Sequence, residues 1–101
     1  MTDAKITVKV DPDLEELIPG FLENRRKDIV GLRDAVARGD VKSLQSTGHS
    51  LKGVGGGYGF DGLSEIGAKI EAAAKTGDVN AIGPLVESLA DYMDRVEVVF
   101  E

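Results

Sequence analysis

The chain carries one histidine, His49, inside the segment LQSTGHSLKGVGGGYGF at residues 44–60. On a helix turning about 100° per residue, Leu44, Leu51, Val54 and Tyr58 share one side with the small residues Gly48 and Gly55. His49 falls roughly 140° from Leu44, grouped with Gln45, Lys52, Gly53 and Gly56, so its imidazole is expected to face water. Lys52 stands one turn further on, where its ammonium reaches a group attached to the ring. Gly53 removes the side chain that would crowd the ring, although glycine inside a helix costs about 0.5–1 kcal/mol relative to alanine. A lone histidine is more often a packed core residue or an idle surface one; the nearby cation and the cleared approach single this one out. A free imidazole is in good part unprotonated at neutral pH and acts as a nucleophile without a general base. The expected chemistry is therefore acceptance of a phosphoryl group on a ring nitrogen, as a phosphoramidate reactive enough to pass the group on. Lys52 would offset the added negative charge.

Other chemistries fit these residues less well. A G-x-G-x-x-G fingerprint counted from Gly53 needs glycine where Tyr58 stands, and a P-loop needs Gly-Lys-Ser/Thr after the glycines, whereas Lys52 precedes them. Both fingerprints also follow a strand, while this run follows a helix, so it reads as a helix end and turn. Ser46 and Ser50 lie close to His49 in sequence. Immediate neighbours on a helix do not face each other, however, and no G-x-S-x-G elbow occurs, which argues against a serine hydrolase. Glu15 and Glu16 read as helix-surface charge, with no second acid set across a cleft.

The elements that must position His49 follow from periodicity. Apolar residues recur at three and four residue spacing through most of the chain, and period-two alternation is confined to Ile6, Val8 and Val10, so the fold class is all-α. The repeated pairs Gly39-Asp40 and Gly77-Asp78 each mark a boundary, glycine ending one helix and aspartate capping the next. Asp11-Pro12 offers another start, leading into Leu14, Leu17, Ile18, Phe21 and Leu22, with Pro19-Gly20 expected to break or kink the run. The spacing predicts a short helix over about 12–19 and a second over about 20–38, with Ile29, Leu32 and Val36 inward and Arg25, Arg26 and Lys27 solvated. A third runs from Asp40 into the glycines, and a fourth starts near Asp61 with Leu63, Ile66, Ala68 and Ile70 buried. The last spans about 79–99, with Gly83-Pro84 a late start or a kink. The economical arrangement is an antiparallel up-down four-helix bundle with a short N-terminal helix, residues 1–10 being extended or disordered.

Composition narrows the function further. A chain of 101 residues makes one domain, taken as residues 1–101. The absence of cysteine and the single histidine exclude disulfides, thiol nucleophiles and multi-histidine metal clusters. A net charge of −6 with 5% aromatic residues argues against nucleic acid and for a protein partner. No stretch approaches the ~20 apolar residues of a membrane span, so a cytoplasmic protein without membrane association is expected.

The run His49-Ser50-Leu51-Lys52-Gly53, the glycine-rich turn after it, Phe60, Leu63 and the stretch Ile66-Gly67-Ala68-Lys69-Ile70-Glu71 resemble the histidine-containing phosphotransfer (HPt) domain of multistep two-component signalling. The resemblance covers nearly the whole chain in length and helix layout. It implies a four-helix bundle presenting His49 on its second long helix, with the family's lysine at Lys52 and its small residue at Gly53. It further implies phosphoryl exchange with an aspartate of a response-regulator receiver domain, or uptake from a hybrid histidine kinase. The receiver would supply Mg²⁺ and most of the catalysis, leaving this chain a monomeric phosphocarrier with no cofactor, rather than an enzyme. The docking surface is expected around His49, including Gln45, Gly56 and, exposed by the leading helix, Leu14, Ile18 and Leu22. Several members of the family carry a glutamine on the following helix that hydrogen-bonds the imidazole, and Glu71 stands at the matching position. It reads either as an acceptor that orients the ring, raises its proton affinity and repels a phosphoryl group, or as a solvated surface carboxylate. The alternative function is a non-catalytic helical module that binds receiver domains without phosphorylation. The joint presence of His49, Lys52 and Gly53 argues against it.

Overall fold

The computed structural model describes residues 4–101. Of the segment expected to be extended or disordered, residues 1–3 lie outside the described residues, and Ile6–Val10 form a strand, β1. A 3-10 segment, Pro12–Leu17, leads directly into helix α1, Ile18–Arg38. Helices α2 (Val41–Tyr58), α3 (Asp61–Lys75) and α4 (Val79–Arg95) come next, and then strand β2, Val96–Phe100.

The Gly-Asp pairs act as their chemistry predicts. Gly39 (φ 66°) and Gly77 (φ 75°) occupy the left-handed region, where a side chain would be strained, and the chain leaves the helix there. Asp40 and Asp78 then accept the N–H groups of Ser43 and Ala81, each at 3.2 Å. They supply partners for amides at the start of α2 and α4 that have no carbonyl within the helix.

Both ends of the chain differ from the expectation. The leading segment is a 3-10 turn, and Pro19-Gly20 neither breaks nor ends the helix that contains it. Pro19 lies in the first turn of α1, where an amide has no intrahelical acceptor and the fixed φ of proline suits the helix. Helix α4 begins at Val79 and runs through Pro84, so there is no late start. It ends at Arg95 because the β-branched and aromatic run Val96, Val98, Val99, Phe100 leaves the helix to pair with β1. The pairing is parallel, from Ile6 opposite Val96 to Val10 opposite Phe100.

Leu44, Leu51, Phe60, Leu63, Ile70, Ile82 and Leu89 form the centre of the core, at 0–1% exposure. Each such side chain is worth roughly 1.5–3 kcal/mol relative to leaving it in water. Of the set expected to be buried in α3, Ile66 and Ala68 are only half-buried. Phe21 of α1 packs its ring against Tyr58 and Phe60, with centroids 4.5 and 4.8 Å away, fastening α1 to the end of α2.

The contact that positions the site is between α2 and α3. A Cβ on Gly48 would lie 2.7 Å from the Glu71 backbone nitrogen, one on Gly55 2.6 Å from that of Ser64, and one on Gly67 2.7 Å from that of Lys52. Backbone therefore meets backbone at three levels, a spacing that only glycine permits. Ser64 Oγ adds a hydrogen bond to the Lys52 carbonyl at 2.7 Å.

Candidate functional site

His49 projects from the middle of α2 with 71% of its side chain accessible, as the helical wheel predicts. Glu71 projects from α3 and is buried, at 7% exposure, because Gly48 and Gly67 let the two helices close around it. The reading of Glu71 as a solvated surface carboxylate is thereby overturned. Its Oε2 lies 2.9 Å from His49 Nδ1 and its Oε1 3.1 Å from Lys52 Nζ.

This geometry fixes the tautomer of His49. Lys52 hydrogen-bonds the Glu71 carboxylate and holds its carboxyl below the usual glutamate range; burial opposes that shift, and the bond to His49 and the charges of Lys52 and Lys75 add to it. An ionised carboxylate has no proton to give, so Nδ1–H of the ring donates to Oε2. In the neutral ring the lone pair is then on Nε2, the nitrogen that Glu71 does not touch.

The other expected residues separate into two groups. Gly53 is exposed, and a Cβ there would meet nothing within 4 Å. Gly56 is equally open, its nearest neighbour being Ser64 Oγ at 3.8 Å from a built Cβ. Gln45 is half-buried and borders the same depression as His49. Leu14, Ile18 and Leu22 do not form an exposed apolar patch. Ile18 is buried at 4% exposure, and Leu14 and Leu22 are half-buried against the core. With the leading segment continuous with α1, these residues cap the core.

Two lysines near His49 do not stand out in the sequence. Lys75 Nζ lies 3.8 Å from Glu71 Oε2, and Lys42 borders the depression of about 440 Å³ that also contains Gln45, Ser46, His49 and Glu71. Lys75 is legible in principle as the i+4 partner of Glu71, and Lys42 as the residue two turns before His49 on one face. The arrangement offers a solvent-facing nucleophilic nitrogen, a buried anion behind the ring and cations on either side. No helix of the described chain is long and apolar enough to cross a membrane.

No curated protein and no solved structure matches the chain. The family model of the Hpt domain does, over residues 16–98, from within the 3-10 segment into β2. That span takes in all four helices together with His49, Glu71 and the lysines around them, and the chain belongs to the Hpt domain family, the phosphocarrier modules of two-component signalling.

Proposed function

We propose that this Hpt domain carries a phosphoryl group on Nε2 of His49, exchanging it with an aspartate of a response-regulator receiver domain or accepting it from a histidine kinase. The observation that carries the reading is the Nδ1–H bond to Glu71, which leaves the lone pair on the nitrogen facing away from the carboxylate. In the transfer that lone pair forms a bond to phosphorus while the bond from phosphorus to the aspartate oxygen breaks, its electron pair departing with the carboxylate. The phosphorylated ring keeps its Nδ1 proton and so carries positive charge, which Glu71 balances. Glu71 thus stabilises the charged product from behind the ring. Lys52 offers its remaining N–H donors to the phosphoryl oxygens, and Gly53 and Gly56 keep the approach open, with Gln45 at the border.

The Mg²⁺ and most of the catalysis are assigned to the partner receiver domain. We read the chain as one domain, a monomeric and cytoplasmic carrier with its helices in up-down antiparallel order. Pairs whose numbers run in opposite directions support that order: Arg26 with Asp94 and Arg33 with Glu87 between α1 and α4, Gly48 with Glu71 and Gly55 with Ser64 between α2 and α3.

The test is transfer of labelled phosphate from a phosphorylated receiver domain with Mg²⁺, wild type beside His49→Gln. Label expected only on wild type, lost in acid and stable in alkali, identifies phosphohistidine. The His49→Gln protein should melt close to wild type, since an exposed side chain contributes little to packing and the amide can still donate to Glu71. A fully labelled His49→Gln protein would overturn the assignment, and binding of a receiver without any label would indicate an interaction module instead.

A further inference from the structure

The depression beside His49 lies toward the start of α2, bounded by Lys42, Gln45, Ser46, His49, Glu71 and Lys75. Lys42 precedes His49 by two helical turns on the same face. Among the described residues it takes part in no ion pair. Lys75 makes only a long contact, 3.8 Å, to a Glu71 carboxylate already engaged at shorter range by Lys52 and His49. Both ammonium groups thus retain charge and donors for something outside the chain.

Their placement runs against the overall charge of the protein. The chain carries −6, yet of the residues that bound the depression Lys42 and Lys75 are cationic and Glu71 alone is anionic. Glu71, the acid nearest the ring, is buried and paired. The nucleophile therefore stands in a locally cationic hollow on an acidic molecule. Neither Lys42 nor Lys75 is buried, so packing gives no account of them.

We infer that Lys42 and Lys75 form a docking subsite for carboxylates of the partner receiver domain, drawing its acidic mouth onto His49. The inference rests on the phosphocarrier reading. A receiver that is phosphorylated on aspartate and holds Mg²⁺ through oxygen ligands must present several acidic groups around the phosphoryl group. Charges at the rim of such an interface act mainly on encounter and on the choice of partner, and their effect is screened by salt. The long, strongly hydrated lysine side chains suit that use, since they release and re-form contacts readily.

The experiment is the kinetics of phosphoryl transfer from a phosphorylated receiver domain with Mg²⁺, at low and at physiological ionic strength. It compares wild type, Lys42→Glu, Lys75→Glu and the double variant, with Lys42→Gln and Lys75→Gln as milder substitutions should a reversal fail to fold. KM for the phosphorylated receiver should rise, roughly tenfold for the double reversal at low salt, and the wild-type advantage should shrink as salt is added. Wild-type KM and wild-type salt dependence in all variants would overturn the subsite. A fall confined to kcat would do the same, because it would place the lysines in the chemical step. Labelling by phosphoramidate, a small donor with no docking surface, separates the subsite from the phosphocarrier function. Wild type labelled by phosphoramidate while the lysine variants keep wild-type KM refutes the subsite alone, whereas no label from either donor on wild type refutes the phosphocarrier reading and the subsite with it.

Discussion

Glu71 carries most of the physical meaning of the site at the scale of single residues. Read from sequence, a carboxylate at that position threatens phosphoryl uptake, because like charges repel. In the folded chain it lies behind the imidazole, bonded to Nδ1–H, with an ammonium on each oxygen at 3.1 and 3.8 Å. Its carboxyl is held below the usual glutamate range, so the interactions contribute fully above that range and are lost as pH falls through the lowered value. The melting temperature of Glu71→Gln should therefore lie below that of wild type near neutrality, and the gap should close as the pH falls below the usual glutamate range. A pH-independent gap in thermal melts would contradict this. Glutamine can still accept from Nδ1–H, so Glu71→Gln should retain much more transfer activity than Glu71→Ala, measured with a phosphorylated receiver.

At the scale of elements, glycines of one helix serve opposite purposes. Gly48 and Gly55 face α3, where a Cβ would lie 2.7 and 2.6 Å from backbone nitrogen. Gly48→Ala should push α2 from α3 and cost about 1–3 kcal/mol, seen as a lower denaturant midpoint, with transfer falling too because Glu71 moves from the ring. Gly53 has nothing within 4 Å of a built Cβ, so the fold does not require it. Gly53→Ala should raise helix stability by about 0.5–1 kcal/mol yet slow transfer, the methyl group standing where a partner approaches. Equal or faster transfer in Gly53→Ala would remove the access role. The wheel separates these faces from sequence because both follow from a 100° step; which helix would meet Gly48 does not.

At the scale of the whole molecule, the two chain ends form a feature that helical reasoning does not reach. Strand β1 pairs in parallel with β2 across the intervening helices, and Val8 and Val10 are buried, at 6% and 1% exposure. A chain shortened to end at Arg95 should lose a few kcal/mol, since burial of each valine is worth roughly 1.5–3 kcal/mol. The expected result is a lower melting temperature, with the amides of Ile6–Val10 exchanging with deuterium much faster; unchanged protection there would show that β2 is dispensable. Because His49 lies in the middle of α2, label transfer at low temperature should persist in the shortened chain.

Local chemistry accounts for what the amino-acid order determined by itself. The Gly-Asp boundaries, the capping aspartates and the division of α2 into a packed face and an open face holding His49, Lys52 and Gly53 depend on residues within a turn or two of one another. The ends misled for the same reason: Pro19-Gly20 can begin a helix as well as break one, and a valine-rich tail reads as helix until a strand distant in sequence is there to pair with it. Only the tertiary structure decided that Ile18 is buried, that Glu71 lies behind the imidazole and that Lys75 joins it. Those facts depend on the approach of α2 to α3 and of α1 to the core, distances set by the three-dimensional packing of backbones that a one-dimensional period does not encode.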